Sequence, residues 1–214
     1  MIHPDTELRY IDDHIGYGVF AKRKIPQGTI TWARDNFDFS FQPAQVEEMD
    51  AMHAALISKY AYRDHKGNYI LCWDFARYVN HSFNSNMMST GYDFELAIRD
   101  IEEGEELTDD YGYLNLEEPL KAREEGTTRK YAYPDDLPRY YQQWDAMIKP
   151  CLPLMLKVRQ PLMPLISSVH LKEIIDTVEG KTEMRSILTH YFQDTPSASK
   201  EPKSHFPNSR LKMR

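Results

Sequence analysis

Three short blocks of this chain hold residue types that could grip a small polar ligand and do chemistry beside it. Gly16-Tyr17-Gly18 lets backbone groups approach a ligand closely, since glycine presents no side chain. Asn80-His81-Ser82 sets an amide, an imidazole and a hydroxyl in a row. Leu107-Thr108-Asp109-Asp110-Tyr111-Gly112-Tyr113 reads as the end of a strand. If strand alternation holds to its last residue, Asp109, Tyr111 and Tyr113 line one wall and Asp110 faces away. Taken singly, each block has a plain structural reading: a turn, a hydrogen-bonded histidine, a solvated strand end.

Other chemistries fit poorly. No third glycine opening a helix follows Gly18, so the block fails as a dinucleotide fingerprint. No second histidine lies at metal-ligand spacing from His81, and no metal site is expected. Ser82 lacks the glycine frame of a nucleophile elbow, so His81 and Ser82 are better read as binding and bracing groups. Cys72 and Cys151 are too few for a disulfide scaffold or a four-cysteine zinc site, which fits a reducing compartment.

The elements that must position these blocks come from the residue pattern. Residues 7–113 alternate short apolar or aromatic runs with Gly, Asn and Asp, the texture of short strands and turns. Ile25-Pro26-Gln27-Gly28 and Ile101-Glu102-Glu103-Gly104 nearly repeat each other as tight turns that need positive φ at the glycine. Tyr69-Ile70-Leu71-Cys72-Trp73 and Phe94-Glu95-Leu96-Ala97-Ile98 read as strands. One helix is expected over residues 43–60, with Val46, Met49, Ala55, Leu56 and Tyr60 mostly on one face.

After Tyr113 the texture turns helical, with helices expected over residues 114–125, 134–149 and 171–192, the last interrupted near Gly180. Between them, residues 150–166 hold four prolines in an apolar stretch where any helix must kink or stop. That stretch reads as a packing surface, against the first domain or against a partner such as a second copy. The division expected is residues 7–113, residues 114–194 and a disordered tail over 195–214, whose Ser, Pro, Lys and Asn content leaves little to bury.

A length of 214 residues suits one compact domain with an appendage. No apolar run approaches the roughly 20 residues that cross a bilayer, and no membrane association is expected. The amino terminus lacks the pattern of a secretory signal, so an intracellular, mainly cytoplasmic location is expected, with the nucleus also compatible. Residues 1–114 carry 10 Lys and Arg against 20 Asp and Glu, whereas residues 115–214 carry 16 against 13. An acidic half favours encounter with a basic protein segment and disfavours nucleic acid.

In this order and spacing, set within His14 to Ala21, Arg77 to Asn86 and Glu105 to Tyr113, the three blocks resemble the signature segments of the SET-domain protein lysine methyltransferases. The resemblance covers roughly residues 7–113. It implies a mainly β fold of small curved sheets, with a pseudoknot at which the segments holding Asn80 to Ser82 and Leu107 to Tyr111 pack through one another. An α-helical C-terminal segment would follow it. The co-substrate implied is S-adenosyl-L-methionine, with Gly16, Tyr17, Gly18, Asn80 and His81 as its binding residues. Tyr111 is the implied catalytic residue, Asp109 and Tyr113 the implied channel residues, and the acceptor a lysine on a histone, histone-like, ribosomal or other basic protein. The rival implication is a catalytically silent module that binds a protein through the same groove.

Two departures from the family pattern bear on mechanism. Asp109 stands where many members carry Phe or Tyr, and an acidic group there would hold a lysine ammonium and oppose its deprotonation. The zinc-binding cysteines that often follow the last block are absent, so the helical segment must supply the cover, with Tyr131, Tyr133 and Trp144 as candidates to stack on the adenine.

Overall fold

The computed structural model describes residues 1–193, and the tail expected over 195–214 lies outside them. The chain runs through β1 (Thr6–Asp12), β2 (Gly16–Ala21), β3 (Ile30–Ala33), β4 (Phe39–Phe41), α1 (Pro43–Glu47), α2 (Ala51–Tyr60), β5 (Tyr62–Arg63), β6 (Tyr69–Leu71) and β7 (Asn80–His81). It continues through β8 (Met87–Ser89), β9 (Phe94–Ala97), β10 (Glu106–Asp109), β11 (Leu120–Lys121), β12 (Tyr131–Ala132), α3 (Asp136–Ile148), α4 (Leu152–Met155) and α5 (Ser168–Val178). The strands form small sheets in the orders β1-β2-β10-β7, β3-β9-β8 and β4-β6-β5, with β11-β12 as a separate hairpin. This is the fold of small sheets with C-terminal helices that the resemblance implies.

The two similar turns face each other. Ile25 N donates to Ile101 O at 2.8 Å and Ile101 N donates back to Ile25 O at 2.9 Å. Gly28 and Gly104 sit at φ of 85° and 81°, conformations that a Cβ resists. Ile25 and Ile101 are both buried, together with Val19 and Leu107, so the turns are clamped onto the core under the first sheet.

Three helical expectations need correction: of residues 171–192 only the part within Ser168–Val178 is α-helix, followed past Gly180 by a single 3-10 turn, Ile187–His190. Residues 43–60 form two helices with a break at residues 48–50, because the Asp50 side chain accepts from Met52 N at 3.0 Å and His53 N at 3.1 Å and so starts a new helix. The apolar face inferred there is not a core face: α1 buries no residue, α2 buries only Ile57, and Leu56 is exposed. Residues 114–125 are not a helix. Leu120 and Lys121 pair with Ala132 and Tyr131 as a hairpin, since charged residues of helix-permissive type carry no apolar stripe to bury.

The proline-punctuated stretch is spent inside the chain. Cys151, Leu152, Met155 and Leu162 are buried in one cluster with Ile30, Met88 and Leu96 of the β3-β9-β8 sheet, and with Trp144 and Ile148 of α3. Gln160 donates to Gly28 O at 2.7 Å and accepts from Ile30 N at 2.8 Å, stitching the segment to the first turn. Of the two surfaces left open by the sequence, this one packs against the strands of its own chain. Burying each such side chain contributes about 1.5–3 kcal/mol, so the helical region and the sheet stabilise one another. No helix among the described residues is long and apolar enough to cross a membrane.

Candidate active site

The first sheet brings together blocks that are far apart in the chain. β10 pairs antiparallel with β2, Leu107 opposite Val19 and Glu106 opposite Phe20. On its other edge β10 runs parallel to β7, Thr108 beside Asn80 and Asp109 beside His81. Beyond the ladder, Ser82 N donates to Asp109 O at 2.9 Å. The Asn86 side chain then takes over the role of a strand, donating to Glu106 O at 2.7 Å and accepting from Thr108 N at 3.0 Å. Asn86 is buried, so its amide replaces backbone pairing that no water could supply.

On the β2 side, Asn80 Nδ2 donates to Tyr17 O at 3.0 Å and to Glu106 Oε1 at 2.7 Å. Asn80 and Glu106, with Ile11, also close around Gly18, where a Cβ would stand 2.6 Å from Glu106 Oε1, 2.8 Å from Ile11 Cδ1 and 3.1 Å from Asn80 Nδ2. Gly16, at φ +85°, has nothing within 4 Å of its Cβ position. A cleft of about 600 Å³ opens between His14 and the hairpin residues Arg123, Glu124, Lys130 and Tyr131.

The imidazole of His81 ties this region to Tyr111. Its Nδ1 lies 3.1 Å from Tyr111 N and 3.2 Å from Asp109 O, while Nε2 is buried without a partner. Burial holds the His81 pKa below its ordinary value, with the Asp110 charge opposing. The ring stacks edge-on against Phe83 at 4.5 Å and tilts against Tyr111 at 5.3 Å.

Tyr111 opens a 3-10 turn, Tyr111–Tyr113, because β10 stops at Asp109 and Asp110 caps the turn by accepting from Gly112 N at 2.9 Å. The alternation that put Asp109, Tyr111 and Tyr113 on one wall therefore fails at Asp110. Tyr113 is a core residue, its ring edge-on against Trp144 at 5.2 Å. Trp144 is equally buried and has no face free for an adenine, while Tyr131 and Tyr133 are exposed. The Tyr111 hydroxyl donates to Val79 O at 2.5 Å. Burial, then the charges of Asp109, Glu95 and Glu106, push its pKa up, so the phenol stays protonated.

Residues that sequence reasoning passed over complete the site. Arg129 pairs with Asp110 at 2.5 Å and Asp136 at 2.6 Å, and lies 4.2 Å over the Phe83 ring. It thus locks α3 to the turn that carries Tyr111. Glu125 accepts from Ser82 Oγ, and Arg123 lies 3.6 Å from Glu106, so the segment before β12 closes over the His81 side. Glu95 is buried in β9 and stands next to Asp109. Its signal in the sequence was a lone charge inside an otherwise apolar strand. Burial raises the Glu95 pKa to about 7, and burial followed by the Glu95 charge raises Asp109.

These features fit a ligand bearing both an ammonium and a carboxylate. Tyr17 O and Glu106 accept, His81 Nε2 has no partner, and the cleft beside His14 is lined by Lys121, Arg123 and Lys130. Among the described residues no group of three or more His, Cys, Asp or Glu is placed to hold a metal ion.

The family profile described as SET domain matches residues 16–112. Among solved structures, the chain is similar to the crystal structure of a candidate histone methyltransferase from Plasmodium falciparum. The two are 19% identical, with 51% of this chain and 95% of that chain covered and a TM-score of 0.38. No curated protein sequence matches the chain.

Proposed function

We propose, from the premise that residues 16–112 form a SET domain, that this chain transfers methyl groups to the ε-amine of a lysine in a basic protein. A methyltransferase-type role is what the domain supports; the lysine acceptor, the co-substrate and the residue roles are our reading. The observation that carries it is the sheet order β1-β2-β10-β7, which sets Gly16 to Gly18, Asn80, His81 and Tyr111 around one crossing.

S-adenosyl-L-methionine supplies an activated methyl group on a sulfonium. Tyr17 O and the Asn80 amide would hold its amino-acid part, with the unpartnered His81 Nε2 as a further polar contact. Tyr111 lies at the end of the same ladder, its backbone fixed by His81 and its ring packed on that imidazole. Methyl transfer is an in-line displacement, so alignment of amine, methyl and leaving group supplies much of the barrier reduction. A protonated Tyr111 hydroxyl can orient the amine and stabilise developing charge, but it cannot serve as the base. The acidic character of residues 1–114 suits a basic acceptor segment.

The test is mass spectrometry of an extract incubated with the co-substrate and either wild type or Tyr111→Phe. Methyl-lysine present only with wild type supports the reading. Methylation confined to other residue types, or equal with both proteins, contradicts it.

A further inference from the structure

The last described residues are pinned beside the turn that carries Tyr111. Asn115, four residues after Tyr111, is 5% exposed and sits at φ +52°, a left-handed conformation uncommon outside glycine. Its side chain is spent on two distant segments. Nδ2 donates to His190 O at 2.8 Å and to Arg63 O at 3.0 Å, while Oδ1 accepts from Phe192 N at 2.9 Å. The Phe192 ring lies 4.6 Å from the Arg63 guanidinium and fills the space over Gly67, where a Cβ would stand 2.6 Å from Phe192 Cζ. A buried amide with both donors and its acceptor in use holds one arrangement. What it holds here is the point where the chain leaves the described residues.

That exit is close to the site. Leu114 N donates to Tyr111 O at 3.0 Å, so the backbone between them is wound into a turn. Four Cα steps of about 3.8 Å put Asn115 no further than about 15 Å from Tyr111, and the hydrogen bond to Phe192 extends that bound to roughly 23 Å. An extended chain spans about 3.3 Å per residue, which gives Lys200 a reach of about 26 Å from Phe192, Lys203 about 36 Å and Lys212 about 66 Å. All three reach Tyr111, the latter two with slack to curve over the surface.

The sequence beyond the exit is basic. Residues 195–214 hold Lys200, Lys203, Arg210, Lys212 and Arg214 against Glu201, whereas residues 1–114 carry 20 Asp and Glu against 10 Lys and Arg. Opposite charges on one molecule favour their encounter.

We infer that a lysine of residues 195–214 is methylated by its own chain, the Asn115 clamp directing that segment to the Tyr111 site. This rests on the lysine methyltransferase reading above and names one acceptor for it. A tethered acceptor is presented at an effective concentration on the order of mM, well above that of most free proteins.

The step needs S-adenosyl-L-methionine and no other reactant. The lysine ammonium gives one proton to solvent. The amine lone pair then forms the new N–C bond while the bond from methyl to sulfur breaks, its electron pair remaining on sulfur. The products are a methylammonium on the chain and a neutral thioether.

The experiment uses the full chain in three forms: wild type, Tyr111→Phe, and a triple variant carrying Lys200→Arg, Lys203→Arg and Lys212→Arg. Each is incubated with S-adenosyl-L-methionine, alone and with an oligolysine peptide, then digested for mass spectrometry. Wild type is expected to carry methyl-lysine within residues 195–214, formed at a fractional rate that does not fall when the protein is diluted. The triple variant should methylate oligolysine as wild type does. Mixed with Tyr111→Phe, it should leave residues 195–214 of that protein unmodified. A readout without turnover is carbodiimide crosslinking of dilute wild type in the absence of the co-substrate. It should join lysines of residues 195–214 to carboxylates of residues 1–114 within one molecule.

Oligolysine methylated by wild type, with residues 195–214 unmodified, overturns the inference and leaves the methyltransferase reading standing. So does modification of Tyr111→Phe in the mixture at the wild-type rate, or crosslinking only between molecules. No methyl group on either the chain or the peptide removes that reading itself.

Discussion

The backbone N–H of Tyr111 donates to Nδ1 of His81 at 3.1 Å, so the imidazole sets the direction in which the phenol leaves the chain. A residue that reads as a ligand group is also the anchor of the turn. His81→Ala should leave that N–H without an acceptor and lower stability by about 1–3 kcal/mol in urea denaturation. It should also reduce methyl transfer at saturating co-substrate by roughly tenfold or more, because a misaimed nucleophile loses its alignment. His81→Asn, whose amide oxygen can still accept, should recover part of the stability.

Glu95 and Asp109 set the pH dependence of folding. Burial raises the Glu95 pKa to about 7 and raises Asp109, whereas the unfolded chain releases these protons near pH 4. The folded state therefore binds more protons, and the stabilisation is complete below the unfolded values and is lost as pH rises. Urea denaturation should show wild type losing stability as pH rises from about 5 to about 8. Asp109→Asn should show a shallower decline and be the more stable protein at the upper end. Wild type gaining stability over that range contradicts the assignment.

Arg129 neutralises two buried carboxylates, Asp110 and Asp136. Arg129→Met keeps the stem and removes the charge, leaving both acids uncompensated, and should cost about 3–5 kcal/mol. The loss should reach the site, since Asp110 caps the turn carrying Tyr111. Paired thermal unfolding and activity measurements should fall together.

Gly28 and Gly126 both have positive φ but differ in space. A Cβ on Gly28 would stand 2.6 Å from Leu154 Cβ and 2.8 Å from Met155 N, whereas Gly126 has nothing within 4 Å. Gly28→Ala should cost about 3 kcal/mol or more, from strain plus overpacking where α4 meets the turn. Gly126→Ala should cost about 1 kcal/mol. Equal losses in denaturation would show that α4 does not press on Gly28.

Much of the site is legible in the chain because its signals are local. Gly28 and Gly104 announce their turns through residue type, and the block ending at Asn86 lies within a few residues of its own function. What escaped reading depends on partners distant in sequence. Arg129 reads as one of several charges until Asp110 and Asp136 stand beside it. Residues 114–125 have helical propensity, but β12 outbids it by offering a paired edge. The wall of Asp109, Tyr111 and Tyr113 was an extrapolation of strand periodicity past Asp110, whose side chain ends the strand by capping the next turn. Tyr113 then turns inward to Trp144.

The central claim is that this fold performs methyl transfer with Tyr111 at its centre. The most direct measurement follows an isotope-labelled methyl group from S-adenosyl-L-methionine to a basic protein mixture, alongside equilibrium binding of the same co-substrate. Wild type and Tyr111→Phe should bind it alike, while label appears on protein with wild type and is absent with Tyr111→Phe. Binding by wild type without any labelled protein, or equal labelling by the two, would contradict the account.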